Sequence, residues 1–166
     1  MTLVEAVVVI FVIAFLVLMI LPALAPRHGG GQRINCTNNL KQLGLAYRIS
    51  EGDNRDKYPM ELSVTNGGTL ELLGGPDAWK TFQVMSNELS TPKILFCPED
   101  LEHAGYATNF GADLKNKISY FIGLDASEAN PNLLMSGDDH FLVHNSPVKL
   151  GVVEMTANTS VTWSTK

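Results

Sequence analysis

Residues 1–25 read MTLVEAVVVIFVIAFLVLMILPALA. No polar side chain interrupts the stretch from Ala6 to Leu21, and Glu5 carries the one side-chain charge of these 25 residues. At about 1.5 Å of rise per residue, some 20 helical residues cover roughly 30 Å, the thickness of a bilayer's hydrocarbon core. Val and Ile are mediocre helix formers in water, but a segment in lipid has to satisfy its backbone internally, so helix is the expected form over about Thr2–Leu21. A carboxylate at bilayer depth costs a few kcal/mol and calls for a partner or a task. The plainer alternative is a glutamate near a helix end that reaches interfacial water.

A secretory signal places basic residues before its apolar stretch and small residues at a cleavage site after it. Ala23-Leu24-Ala25 resembles the second feature, but no basic residue precedes the run, so the segment is read as retained. Pro22 and Pro26 each remove a backbone donor, and Gly29-Gly30-Gly31 follows. These residues predict a kink or a locally melted stretch between about Leu21 and Gln32. Two regions follow: residues 1–26 as a hydrophobic anchor helix, and residues 27–166 as a globular domain. The domain opens with a second helix over about 32–50. Cys36, Leu40, Leu43 and Tyr47 there lie at four-, three- and four-residue spacing, with Ile34 near the start, which makes one apolar stripe.

Beyond Met60 short apolar runs alternate with Gly-, Pro- and Asn-rich clusters. Val84–Leu89 reads as a short helix or loop, and Ile94–Phe96 as extended. Lys117–Leu124, Leu133–Ser136, Phe141–His144 and Val161–Trp163 read as strands around a Gly137-Asp138-Asp139 turn. The fold class is therefore α+β: a long N-terminal helix, kinked or melted near Pro22, packed on a small antiparallel β-sheet with long loops. Trp79, Phe82, Tyr106, Phe110, Tyr120 and Phe121 are assigned to packing, in the core or between subunits.

The formal net charge is −5, and no basic patch of the kind that binds nucleic acid is present. Cys36 and Cys97 are the two cysteines. An even count in an exported domain favours a disulfide over a metal site, with two buried thiols as the alternative. Gly-x-Ser-x-Gly, His-Glu-x-x-His and phosphate-loop motifs are missing from the sequence, and the four histidines are scattered, so neither an enzyme nor a cofactor is expected. Asp138, Asp139, His140 and His144, with Asp125 and Glu128 upstream, are metal-ligating residue types. Their spacing matches no defined calcium loop. A solvated turn is expected there, and no metal is assigned.

The string Thr2-Leu3-Val4-Glu5 ahead of the apolar run resembles the N-terminal signature of type IV pilins and type II secretion pseudopilins. Met1 stands where that family usually has Phe. Asn35-Cys36-Thr37-Asn38-Asn39-Leu40-Lys41-Gln42 is similar to the Cys-x-x-Asn-Leu-Lys-Gln segment of pilin-like proteins from planctomycetes and verrucomicrobia. Phe96-Cys97-Pro98-Glu99-Asp100 resembles their Cys-Pro-x-Asp motif, and Ser119–Ala126 and Ser136-Gly137-Asp138 also look like that group. Such relatives continue past a Trp-bearing strand, whereas Lys166 follows Trp163 by three residues: either the sequence is truncated there or the C-terminal strand is absent, and a missing strand would leave an edge open to another chain.

The resemblance implies a structural subunit of a type IV pilus-like or pseudopilus filament that polymerises through its apolar helix. Met1 would be the processed, methylated N-terminus, and Glu5 would pair with the N-terminal amine of a neighbour. Pro22 and Pro26 would let the helix kink or melt. The implied partners are further copies of the chain in a helical filament, an inner-membrane assembly platform, an assembly ATPase and a prepilin peptidase. The subunit would reside in the inner membrane before assembly and in an extracellular or periplasmic filament afterwards. The competing class is a monomeric membrane-anchored surface binding module whose helix is only a tether.

Overall fold

A computed structural model describes residues 2–20, 28–148, 151–156 and 158–164, with the backbone alone at 28–30. Met1, Pro22 and Pro26 lie outside the described residues, and with them the expected kink. The chain divides into two compact units, Met1–Gly31 and Gln32–Lys166. The architecture is α+β, with an N-terminal apolar helix and small antiparallel sheets.

Helix α1 spans Leu3–Ile20, about 27 Å at 1.5 Å per residue. Apart from Glu5 it is wholly apolar, and none of its side chains is buried. It is long and apolar enough to cross a membrane or to act as a signal sequence.

Helix α2 spans His28–Asp53, longer at both ends than the 32–50 expected. The three glycines belong to its first turn rather than to a flexible joint. The first turn is where backbone N–H groups need no intrahelical acceptor, so weak helix formers disrupt least there. The core face of α2 is Cys36, Leu43, Ala46 and Tyr47, joined by Ser50 and Glu51, with Leu40 partly buried against it. Ile34, expected on this stripe, is 63% exposed. Three residues after Tyr47, the stripe continues through polar Ser50 and Glu51 because loop segments cover this end of the helix.

Two short helices, α3 (Lys80–Val84) and α4 (Ser86–Leu89), follow α2 after a series of single 3-10 turns. Pro92–Leu95 is also a 3-10 turn, not the extended segment expected. Thr91 and Pro92 explain this. The Thr91 hydroxyl accepts from the Lys93 N–H at 3.4 Å, and Pro at the first turn position presets a helical φ. Phe82, Met85, Leu89, Ile94 and Leu95 from these elements pack with the α2 face around Met60, Leu114 and Tyr120.

Five strands are described: β1 Tyr120–Ile122, β2 Ser136–Asp138, β3 Phe141–Val143, β4 Ser146–Pro147 and β5 Val161–Trp163. They form two sheets, not one. β1 pairs antiparallel with β2, matching Tyr120 with Asp138 and Ile122 with Ser136. β3 lies between β4 and β5, both antiparallel to it. The strands are shorter than the sequence runs. Leu133–Met135 leads into β2 instead of forming a strand, and Gly137-Asp138, expected in the turn, belongs to β2. Gly123 is required where β1 ends, because a Cβ there would collide with the Leu134 carbonyl. Aromatic rings link the two sheets: Phe121 on β1 stands edge-on to Phe141 on β3 at 5.4 Å, and Phe141 to Trp163 on β5 at 6.3 Å. β5 edges its sheet, and Trp163 is 63% exposed.

Of the six aromatics assigned to packing, Phe82 and Tyr120 are buried, and Trp79 and Phe110 pack partly buried on the core. Tyr106 is exposed, with the Lys93 ammonium 4.8 Å from its ring centre.

Candidate functional site

The start of α1 carries a reciprocal cap. The Glu5 N–H donates to the Thr2 hydroxyl at 3.4 Å, and the Thr2 N–H donates to a Glu5 carboxylate oxygen at 3.4 Å. This is the Thr-x-x-Glu capping box, which satisfies two of the backbone donors orphaned at a helix start. Its signal lies in the string Thr2-Leu3-Val4-Glu5, where the charge of Glu5 hides the meaning of its spacing from Thr2. Both bonds exceed the usual range of about 2.7–3.2 Å. Both groups are exposed, so the carboxylate is held loosely and is open to a cation.

Cys36 and Cys97 form a disulfide with a Cα–Cα distance of 4.9 Å. It joins the core face of α2 to the loop after Phe96 across a sequence separation of 61. Around it, Asn39 donates its side-chain amide to the Phe96 carbonyl at 2.9 Å, and the Tyr120 hydroxyl donates to the Cys36 carbonyl at 3.5 Å. Burial pushes the Tyr120 hydroxyl up to about 12, so it stays a donor at any physiological pH.

Ser119 ties this region to the first residues after the disulfide. Its side chain is fully buried, and its hydroxyl accepts from the Cys97 N–H at 3.0 Å. Its own N–H donates to the Leu95 carbonyl at 3.0 Å, and its carbonyl accepts from the Asp139 N–H at 3.1 Å. The Ser119 side chain also bonds Asp100.

The six metal-ligating residues singled out in the sequence separate. Asp138, Asp139 and His140 gather at the end of β2, half-buried rather than solvated. Asp100 and His103, which sequence spacing could not have joined to them, complete this group: Nδ1 of His103 lies 2.6 Å from Asp100, and Nε2 of His140 lies 3.4 Å from it. His144 is exposed. Burial raises the Asp100 carboxyl, but hydrogen bonds from Ser119, the Glu102 N–H and His103 outweigh it and hold the group below the usual carboxylate range. Asp139 is pushed up, chiefly by burial. Burial pulls His140 down, but bonding to Asp138 and the charges of Asp139 and Asp100 overcome it, and the net shift is upward.

Glu128 lies elsewhere, in a cleft of about 120 Å³ lined also by Arg48, Tyr58, Asn130 and Met135. It bonds the buried Glu51 of α2. That bond, with burial and the Glu128 charge, raises the Glu51 carboxyl.

No protein-family model, no curated protein and no solved structure matches this chain.

Proposed function

We propose that the chain is the structural subunit of a type IV pilus-like or type II secretion pseudopilus filament with a pilin-like fold. The observation that carries this reading is α1 itself: 18 residues, apolar except for Glu5, with every side chain open to its surroundings. Burying one such Val, Ile, Leu or Phe side chain is worth about 1.5–3 kcal/mol, so the helix belongs in lipid or against other helices. In the membrane the subunit keeps α1 in lipid. On assembly α1 moves from lipid into a core of neighbouring helices, and apolar burial is conserved rather than gained. Polar pairing then chooses the register. Glu5 meets the amine of a neighbour's Met1 there, and a buried charge pair of this kind is best attested as a device for specifying register.

The domain from Gln32 onward, fastened by the Cys36–Cys97 disulfide, coats the filament. An inner-membrane platform, an assembly ATPase and a prepilin peptidase that methylates Met1 are the implied partners. The monomeric tether is the second reading, and the capping box favours it, because Thr2 already gives Glu5 a partner within its own chain. Electron microscopy of sheared surface material from cells expressing the chain separates the two. Ordered filaments that contain the chain support the polymer. Membrane-bound monomers without filaments support the tether.

A further inference from the structure

Asp100, Asp139 and His140 offer one ligand atom each within 4.8 Å of one another. Nε2 of His140 is buried and has no hydrogen-bond partner among the described residues; Oδ1 of Asp100 lies 3.4 Å from it. Oδ1 of Asp139 is also buried and makes no hydrogen bond, although Nδ1 of His140 lies 3.1 Å from it. Buried polar atoms are nearly always satisfied, so Nε2 calls for a partner. We propose that Asp100, Asp139 and His140 bind a divalent transition-metal ion of the zinc class, independently of whether the chain polymerises.

The donor set suits such an ion. Zinc takes imidazole nitrogen and carboxylate oxygen at about 2.0–2.2 Å, which sets neighbouring ligands of a tetrahedron roughly 3.3–3.6 Å apart. Nε2 of His140 lies 3.4 Å from Oδ1 of Asp100, a separation that fits a shared ion better than a hydrogen bond. The other ring nitrogen is already engaged: Nδ1 lies 2.8 Å from Asp138 and 3.1 Å from Asp139. In the neutral ring with its proton on Nδ1, held by Asp138, Nε2 presents its lone pair to an ion. This is the carboxylate–histidine pairing that orients metal-ligating imidazoles.

Asp100 is fully buried and fixed from several sides. One oxygen accepts from the N–H groups of Glu102 at 2.8 Å and His103 at 3.2 Å, and the other meets the His103 ring at 2.6 Å. A cleft of about 60 Å³ opens onto Asp139 and His140, lined also by Glu102, Phe141, Leu142 and Pro147. Asp100 does not line this cleft, which gives water a way in to Asp139 and His140, one water needing about 10–15 Å³. Asp100, Asp138 and Asp139 lie close to His140, and a dication at Nε2 would take the place of the proton that these carboxylates favour on the ring.

The test uses the full-length chain in detergent, stripped with chelator and titrated with Zn²⁺ by calorimetry. The wild type is expected to bind one equivalent. His140→Gln and Asp139→Asn should each weaken binding more than tenfold, and Asp138→Asn about tenfold through the loss of its hold on Nδ1. His144→Gln, at an exposed histidine outside the cluster, should leave binding unchanged. Thermal melts of the stripped variants establish that each is folded. Co²⁺ in place of Zn²⁺ should give the visible absorption of a low-coordinate site, abolished by His140→Gln. Absence of saturable Zn²⁺ binding by the wild type overturns the proposal. So does binding that survives in folded His140→Gln, or tight Ca²⁺ binding in place of Zn²⁺.

Discussion

Thr2 and Glu5 cap α1 reciprocally, each accepting the other's backbone N–H at 3.4 Å. Glu5 is thus a cap within its own helix, and its exposed charge is open to the pairing proposed with a neighbouring chain. The two differ in what they require. A cap needs a side-chain acceptor at this position, whereas a charge pair needs the carboxylate itself.

The Cys36–Cys97 disulfide closes a loop with a sequence separation of 61. In the chain-entropy treatment a loop of that length is worth about 4 kcal/mol through the unfolded state. Replacing both cysteines with alanine should lower the unfolding free energy by an amount of that order, read by urea denaturation of the detergent-solubilised chain. A loss below about 1 kcal/mol would show that the bridge adds little to the packing of α2 on the loop after Phe96.

Ser119→Ala removes the acceptor of the buried Cys97 N–H and a bond to Asp100. An orphaned buried donor costs about 1–3 kcal/mol, so the variant should lose stability in that range. Ser119→Thr keeps the hydroxyl and separates the lost bond from the altered volume: if the bond is what matters, the threonine variant recovers part of the loss in the same denaturation assay.

Glu51 is raised by its bond with Glu128, by burial and by the Glu128 charge. A raised carboxyl takes up its proton on folding. Its stabilising contribution is full below the unfolded value of about 4.3 and is lost as pH rises through the higher folded value. The wild type should therefore lose stability relative to Glu51→Gln as pH rises from about 4 toward neutrality. A stability difference between the two proteins that stays constant across that range would contradict the raised Glu51 carboxyl.

Much of this fold is legible in the sequence because its signals are local. The unbroken run after Glu5 dictates a helix, and the spacing of Cys36, Leu40, Leu43 and Tyr47 marks the face that α2 buries. The disulfide is the arrangement that an even cysteine count favours when the domain is read as exported, over the alternative of two buried thiols. What escapes is of two kinds. Thr91-Pro92 and Thr2-x-x-Glu5 are short capping signals overshadowed by the hydrophobicity of their neighbours, so a 3-10 turn reads as extended and a capping box as a lone charge. The approach of Asp100 to His140 depends on Ser119, which holds the Cys97 loop and the Asp139 backbone together across the core. No spacing rule connects residues some 40 positions apart. The two sheets escape for a related reason: Phe121, Phe141 and Trp163 give three separate strand signals, and only tertiary packing brings their rings together.

Electron microscopy of surface filaments from Glu5→Gln and Thr2→Ala cells, with membrane insertion of both variants verified, tests the role of Glu5 most directly. Glutamine can complete a capping box but carries no charge. Alanine at position 2 removes the cap, at a cost of about 0.5–2 kcal/mol, and leaves the carboxylate intact. The polymer account expects Glu5→Gln to insert and fail to form filaments, and Thr2→Ala to form them. Normal filaments from Glu5→Gln, with none from Thr2→Ala, would contradict it and make Glu5 a helix cap.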